Sequence, residues 1–401
     1  MKYGVGIDVS KGKSTVAIVS IEGEVIEMPF DVNHDIEDLE KFVKKLQKFP
    51  KEDLKIVLEQ TGTYHLPILT YLLDKGYCVV AENALKIKKY LDRSLRKAKT
   101  DKKDSLKLAE YTCDNWYKLK ANFVEEEKYK ELRFLSRQYF SLNSMKVQQK
   151  VDFSDLSDML FPGYYQLLEE CNFVVGLKIF EKFSDPKIIR KKKLETFLNE
   201  VDKIAKKLGQ KRAGRNLAIK VYELAKKSVP SCPSNSSTQL ILNSRVVALI
   251  NLIETTNEII TKMNEIAKSM DEYKEVRNMK GVGNRLAPLL IAEIGDIRRF
   301  KNAGSLIAYA GIDSPPYQSG KYEATNRHIS KRGNKYLRKT GFEVMQSIKS
   351  FCRVDCEVYD YIVKKETEGK CKKSAKIAGL NKFLRQYYGI LKKMYIELGT
   401  W

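Results

Sequence analysis

The stretch from Tyr3 to Val19, YGVGIDVSKGKSTVAIV, decides how the amino-terminal part of this chain folds. Tyr3, Val5, Ile7 and Val9 alternate with Gly4, Gly6 and Asp8, the period of two expected of a strand. Thr15-Val-Ala-Ile-Val19 and Glu24-Val-Ile-Glu27 follow after glycine-containing turns, so three strands in series read as a meander. Helical periodicity from about Ile36 to Leu46 leads to the strand Lys55-Ile-Val-Leu-Glu59. A second helix near Leu66 to Leu73 leads to Tyr77-Cys-Val-Val-Ala81. The order βββ-α-β-α-β-α predicts an α/β domain.

At 401 residues the chain exceeds the size at which one core usually keeps growing, which predicts two or three domains. Its 43% hydrophobic content supports folding, while 73 Lys+Arg against 51 Asp+Glu give a formal net charge of +22. Such an excess attracts polyanions, and counterion release makes nucleic acid the expected partner. A membrane is not expected: no run of about 18 apolar residues occurs and the first residues lack a secretory signal, so the protein reads as cytoplasmic. Seven cysteines, from Cys78 to Cys371, do not form a disulfide framework. Cys352, Cys356 and Cys371 have no second paired-cysteine knuckle, and the only histidines are His34, His65 and His328, so idle thiols are expected rather than zinc ligands.

Three regions are expected: 1–125, 126–275 and 276–401. The middle is helical and strongly charged, broken at Phe161-Pro-Gly163 and across Val229 to Ser237. Near 245–272, Leu249, Leu252, Thr256, Ile259, Met263, Ile266 and Met270 alternate spacings of three and four, the seam of a coiled coil that would join protomers. One amphipathic helix packed on its own domain gives the same pattern. The last region opens with Met279-Lys-Gly-Val-Gly-Asn-Arg-Leu, a turn feeding an amphipathic helix like a helix-hairpin-helix element. Backbone N–H groups at Gly281 and Gly283 would there meet a DNA phosphate, although a tight turn between helices also accounts for these glycines.

In the run Arg96-Lys-Ala-Lys-Thr-Asp-Lys-Lys-Asp104, Asp101 and Asp104 stand three apart at the start of a helix. Two carboxylates about 5 Å apart repel by roughly 3 kcal/mol at an effective dielectric near 20, which a divalent cation between them relieves. Acids near a helix N-terminus also favour the dipole without any metal. Position adds to the metal reading, because Asp8 lies near the end of the first strand and Glu59 at the end of the fourth. In an RNase H-like sheet these strands are neighbours and the last helix crosses them, bringing Asp8, Glu59, Asp101 and Asp104 around one cavity. Four oxygen ligands suit two Mg²⁺ ions about 4 Å apart in phosphodiester chemistry. Arg93, Arg96, Lys97, Lys99, Lys102 and Lys103 would then hold the phosphate backbone. The first loop also looks like the phosphate loop of sugar-kinase and actin-like ATPases, but no second such loop follows.

Two groups of motifs carry a resemblance. Tyr3-Gly-Val-Gly-Ile-Asp-Val-Ser-Lys11, Leu58-Glu-Gln-Thr-Gly-Thr-Tyr64 and Lys99-Thr-Asp-Lys-Lys-Asp104 form the first. Gly281-Val-Gly283, Ile294-Gly-Asp-Ile-Arg-Arg-Phe300, Ala308-Tyr-Ala-Gly311, Gln318-Ser-Gly320 and Ile329-Ser-Lys-Arg-Gly-Asn-Lys-Tyr-Leu-Arg338 form the second. In this order the chain resembles the DEDD transposases of insertion-sequence family one-ten, which include the Piv and MooV DNA invertases. The resemblance implies an α/β RNase H-like (RuvC-like) N-terminal domain, a helical coiled-coil middle and a mainly α C-terminal transposase domain. It implies that Asp8, Glu59, Asp101 and Asp104 bind Mg²⁺ and that Ser319 attacks DNA to give a covalent phosphoserine. Residue chemistry alone does not single out Ser319, since Ser305, Ser314 and Ser330 are nearby and Pro315 to Gly320 also reads as a surface turn. The family also implies donor and target DNA, a structured guide RNA from the element, and composite sites in a dimer or tetramer. An invertase, a RuvC-like nuclease without a covalent step and an inactive nucleic-acid-binding protein are the alternatives.

From Lys321 to Lys339 the chain carries seven Lys/Arg against one Glu. Lys321, Arg327, Lys331, Arg332, Lys335 and Arg338 are expected along phosphates, although a solvated helix face would also explain the run. The chain departs from the family in its longer lysine-rich middle, in its tail from about Phe351, and in Ser105, where alanine is more usual.

Overall fold

A computed structural model describes the chain except for Thr61 and residues 93–99, 121–125, 169–171, 211–213, 315–317, 320–321 and 324–327. For Leu85, Gln318, Ser319, Tyr322 and Glu323 it describes the backbone alone. The chain forms two compact units, Met1–Val124 and Glu125–Trp401.

Unit 1 contains β1 (Tyr3–Ser10), β2 (Lys13–Ser20), β3 (Val25–Asn33), α1 (Ile36–Leu46), β4 (Leu54–Glu59), α2 (Leu66–Asp74), β5 (Val79–Glu82), α3 (Ala84–Leu91) and α4 (Asp101–Asp114). They build one five-stranded sheet in the order β3-β2-β1-β4-β5. β1 to β3 run antiparallel in series, as their tight turns require, while β1, β4 and β5 are parallel and joined through helices. The alternation in β1 sorts the two faces. Val5 and Ile7 join Val16, Ile18, Ile56 and Leu58 in a core with Leu39, Phe42 and Leu46 of α1 and Ile68 and Leu72 of α2. Gly4 and Gly6 point the other way, where a Cβ on Gly6 would overlap the Ser105 carbonyl and the Ala109 amide of α4. Their missing side chains let α4 lie directly on β1. The third strand extends to Asn33, beyond the expected Glu27, passing Pro29 on the sheet edge. A register irregularity falls there, between the pairs Val16–Phe30 and Ile18–Glu27, a place where a residue without an N–H is tolerated.

Unit 2 is mainly helical. Its frame is two long helices, α5 (Glu127–Leu160) and α11 (Ser236–Lys268), each about 50 Å long at 1.5 Å per residue. They run antiparallel: Lys128 reaches the Ser269 carbonyl at 3.2 Å, Lys146 the Thr256 hydroxyl at 3.1 Å, and Arg245 pairs with Asp152 at 2.8 Å. One end of this pair shares a core with α6 (Tyr164–Leu168), α7 (Phe173–Lys182), α8 (Pro186–Arg190), α9 (Leu194–Lys207) and α10 (Arg215–Lys227). The other end packs with α12 (Tyr273–Asn278), α13 (Leu286–Ile294), α14 (Ala303–Ala310), α15 (Lys335–Phe351), α16 (Glu357–Thr367) and α17 (Lys372–Glu397). Two short strands, β6 (Gln318–Ser319) and β7 (Tyr322–Glu323), pair between α14 and α15.

Part of the heptad seam is taken up within the chain. Leu249 and Met263 are buried in the chain's own cores and Thr256 is buried where Lys146 of α5 reaches it, as the amphipathic-helix reading expects for these three. Antiparallel packing within one chain produces the same seven-residue repeat as association between chains. Among the described residues no helix is long and apolar enough to cross a membrane.

Candidate active site

The carboxylates of unit 1 are placed by strand register. β1 and β4 pair from Tyr3–Leu54 to Ile7–Leu58, so the next step sets Asp8, near the end of β1, beside Glu59, the last residue of β4. On one side Asp8 pairs with Thr15 and Thr15 with Asp31; on the other, Glu59 pairs with Glu82. Asp31, Thr15, Asp8, Glu59 and Glu82 thus form one row across the sheet. Since Asp8 follows Gly4 and Gly6 by twos, the row belongs to the face that α4 covers.

α4 delivers the other two acids. A Cβ on Gly4 would meet Ala109, Thr112 and Cys113, and one on Gly6 would meet Ser105, Leu108 and Ala109. Each two-residue step along β1 thus moves back about one turn along α4, which brings its first turn, with Asp101 and Asp104, to the level of Asp8. Thr100 starts the helix there, its hydroxyl accepting from the Lys103 amide at 3.3 Å. Asp104 is buried, and Asp101, Lys102 and Lys103 are exposed. The charge of Lys102 is felt by Asp31 on β3, whose carboxyl is held below its ordinary value chiefly by the 2.8 Å hydrogen bond from Thr15.

The ends of the row are neutralised by their own neighbours. Asp31 also accepts from Lys13 at 3.4 Å, and Glu82 accepts from Lys86 at 2.5 Å and from the Tyr111 hydroxyl at 3.2 Å. Asp8, Glu59, Asp101 and Asp104 offer oxygen donors only, a set suited to a hard cation such as Mg²⁺. They share a face and a level. Among the described residues, however, no three His, Cys, Asp or Glu side chains are gathered closely enough to hold an ion. Of the basic residues expected around them, Arg93, Arg96, Lys97 and Lys99 lie outside the described residues.

In unit 2, Ser319 sits in β6, opposite Tyr322 of β7, within the arm of chain between Asp313 and Ser330, where the sequence also allowed a plain surface turn. Backbone bonds close the root of the arm: Ser330 to Asp313, Lys331 to Gly311 and Asn334 to Tyr309, at 2.7 to 3.0 Å. The two sides approach so closely that a Cβ on Gly333 would overlap the Tyr309 carbonyl. Beneath the root lies Glu293, whose side chain is wholly buried. It accepts from Ser136 at 2.7 Å, Arg137 at 2.9 Å and Asn334 at 2.8 Å, while the Asn334 oxygen caps α15 through the amides of Tyr336 and Leu337. Sequence reasoning missed Glu293 and Asn334. A lone acid in the apolar run LAPLLIAEI was the available signal, since a buried charge requires partners.

The remaining basic and glycine candidates divide. Lys331, Arg332 and Lys335 are exposed. Arg338 is half-buried and donates through one guanidinium nitrogen to the Ala310 and Gly333 carbonyls at 2.9 and 3.1 Å, which gives it a part in holding the arm. Gly281 has φ +79 and packs so tightly that a Cβ would overlap Ile348, which gives it a structural reason of its own. Gly283 is open, at the start of α13. Lys321 and Arg327 lie outside the described residues.

Two family profiles match the chain. The DEDD transposase profile of IS110, described as transposase, covers residues 5–162, and the profile of the transposase IS116/IS110/IS902 family covers residues 273–359. An insertion element IS116 protein of Streptomyces clavuligerus is 22% identical over 341 residues, 83% of this chain and 81% of the relative. The transposase for insertion sequence element IS1111A of Coxiella burnetii is 32% identical over 98 residues, 24% of this chain and 27% of the relative. The pilin gene-inverting protein of Moraxella bovis is 32% identical over 113 residues, 28% of this chain and 34% of the relative.

Proposed function

Because the chain belongs to the IS110 family of insertion-sequence transposases, we propose that it cuts DNA strands and rejoins them through a covalent link to Ser319, at a site whose metal ligands are Asp8, Glu59, Asp101 and Asp104. The observation that carries this reading is register. Asp8 near the end of β1 and Glu59 at the end of the parallel β4 lie on the face that α4 covers, toward its first turn with Asp101 and Asp104. The strand order β3-β2-β1-β4-β5 with α4 across it supports an RNase H-like unit.

Bound Mg²⁺ would supply Lewis-acid stabilisation of the leaving oxygen and activation of the attacking hydroxyl. The rest is the chain's own chemistry. The Ser319 Oγ attacks a DNA phosphorus, an O–P bond forms as a strand P–O bond breaks, and the departing DNA oxygen takes a proton. Rejoining reverses the exchange: a DNA hydroxyl attacks the phosphoserine and Ser319 regains its proton. The number of phosphoester bonds is unchanged, so the cycle needs no energy source. The net charge of +22 leaves room for a structured RNA beside the DNA, with base pairing to choose the sequence. Inversion of a DNA segment is a second reading, favoured by the pilin gene-inverting relative.

Trapping the protein on cognate DNA tests the reading. Wild type with Mg²⁺ forms a covalent adduct, and Ser319→Ala, Asp8→Ala and wild type in EDTA do not. Loss of Asp8 costs several kcal/mol of transition-state stabilisation, on the order of 10³-fold in rate. An adduct with Ser319→Ala refutes the nucleophile, and cleavage by that variant without an adduct points to the hydrolytic nuclease. Restored activity in a mixture of Asp8→Ala and Ser319→Ala proteins would assign the two parts of the site to different protomers.

A further inference from the structure

Between α5 and the first turns of α15 lies a groove of about 530 Å³, lined by Ser141, Ser144 and Met145 on one side and by Lys335, Tyr336 and Lys339 on the other. The buried ring of Phe140 forms part of its floor, 5.1 Å from the Tyr336 ring. Its residues belong to one unit, and none is acidic.

Cationic groups, exposed hydroxyls and an apolar floor together suit it to an anion with an apolar part. Lys335 and Lys339 are exposed, with no carboxylate at ion-pair distance among the described residues; they lie instead over the rings of Tyr336 and Phe140, at 5.0 and 5.1 Å. The N-terminus of α15 adds the positive end of a helix of 17 residues. Lys146, next in sequence to Met145, is held below its ordinary value first by burial and then by the charges of Lys150 and Arg285. Opposite the lysines stand the exposed side chains of Ser141 and Ser144, with Met145 55% exposed beside them.

A duplex keeps its base faces stacked inside and offers phosphates and groove edges, which leaves the apolar floor without a base face to meet. An unpaired nucleotide matches all three. Resting on the DNA-processing reading above, we propose that the groove holds one unpaired nucleotide of a DNA strand. Its phosphate lies on Lys335 and Lys339, its polar edges on Ser141 and Ser144, and its base against Met145 and the aromatic floor. Since α15 begins immediately after Asn334, which closes the root of the Ser319 arm, the nucleotide is held where chain connectivity leads to that arm.

Fluorescence anisotropy of the full chain in EDTA tests this, with a short single-stranded DNA, its duplex and an RNA of the same sequence as probes. The proteins are wild type, the exposed-site double variant Lys335→Gln/Lys339→Gln, and Met145→Ser, each shown to fold by its thermal melt. The double variant weakens single-stranded DNA at least about tenfold and reduces the salt slope by about 1.4, two contacts at roughly 0.7 each. Met145→Ser weakens the single strand and spares the duplex. The proposal is overturned by unchanged single-strand affinity, by equal losses on single strand and duplex, by a loss confined to RNA, or by a glutamate-rich peptide that displaces the strand from wild type as effectively as DNA does. Because the assay uses neither Mg²⁺ nor Ser319, its failure and failure of the adduct test are separable.

Discussion

The row of acids in unit 1 and the serine arm of unit 2 are built on opposite principles. Asp8 and Glu59 are positioned by backbone pairing, and the side chains beneath α4 are small or absent so that its first turn can come close. The arm is positioned by a buried carboxylate that gathers donors from α5 and from the turn before α15. A register is regular and redundant, so it survives loss of many single side chains. A polar node is neither.

This contrast predicts the largest effect at Glu293. Glu293→Ala leaves Arg137, Ser136 and Asn334 without their shared acceptor and lowers the stability of unit 2 by about 3 kcal/mol. That is the low end for a buried pair, because the Arg137 side chain keeps 38% of its exposure. Denaturant unfolding measures it, and a change below about 1 kcal/mol would break the contrast. In unit 1 the counterpart is Gly6→Val, which pushes α4 off β1 and costs about 2 kcal/mol by overpacking. It should reduce adduct formation further than Gly283→Ala, whose added Cβ meets nothing. Equal activity of these two variants would mean that the seating of α4 does not govern the acids.

The smallest effect, of opposite sign in the two units, is with pH. Asp31 is held below its ordinary 3.8, first by the Thr15 hydrogen bond, so folded unit 1 binds fewer protons than the unfolded chain. Its contribution is present above pH 3.8 and is lost as pH falls through the lowered value. Glu272, buried with Tyr129 and Tyr395 donating to it at 2.6 and 3.0 Å, is raised above its ordinary 4.5 by burial. Folded unit 2 therefore binds more protons, and this contribution, present below pH 4.5, is lost as pH rises through the raised value. Hydrogen exchange of peptides from each unit should show unit 2 loosening as pH rises from 4.5 and unit 1 loosening as pH falls below 3.8. Glu272→Gln should remove the first change and Asp31→Asn the second; persistence of either change in its variant would sharpen the comparison against these residues.

How much was legible follows the same division. Alternation in β1 and the apolar run of β4 located the strands and put Asp8 near the end of one and Glu59 at the end of the other, because strand patterns are local and the parallel pairing follows from the order of elements. The seven-residue repeat in α11 located a packing seam but not its partner, since an apolar stripe does not record whether the facing helix belongs to the same chain. Arg338 and Lys335 looked alike in a basic run. Only folding separated the half-buried guanidinium from the exposed ammonium.

The sequence by itself determined the strands, the helices, the excess of positive charge and which side chains are chemically able to hold a cation or attack a phosphate. Those properties depend on residue type and on spacing within a few residues. The tertiary structure alone decided that α11 pairs with α5, that Glu293 lies under the arm, and that Phe140, Met145 and Lys339 border one groove. Each of those facts joins residues more than a hundred positions apart or turns one face of a helix inward, and contacts at such separation arise only when the whole chain packs.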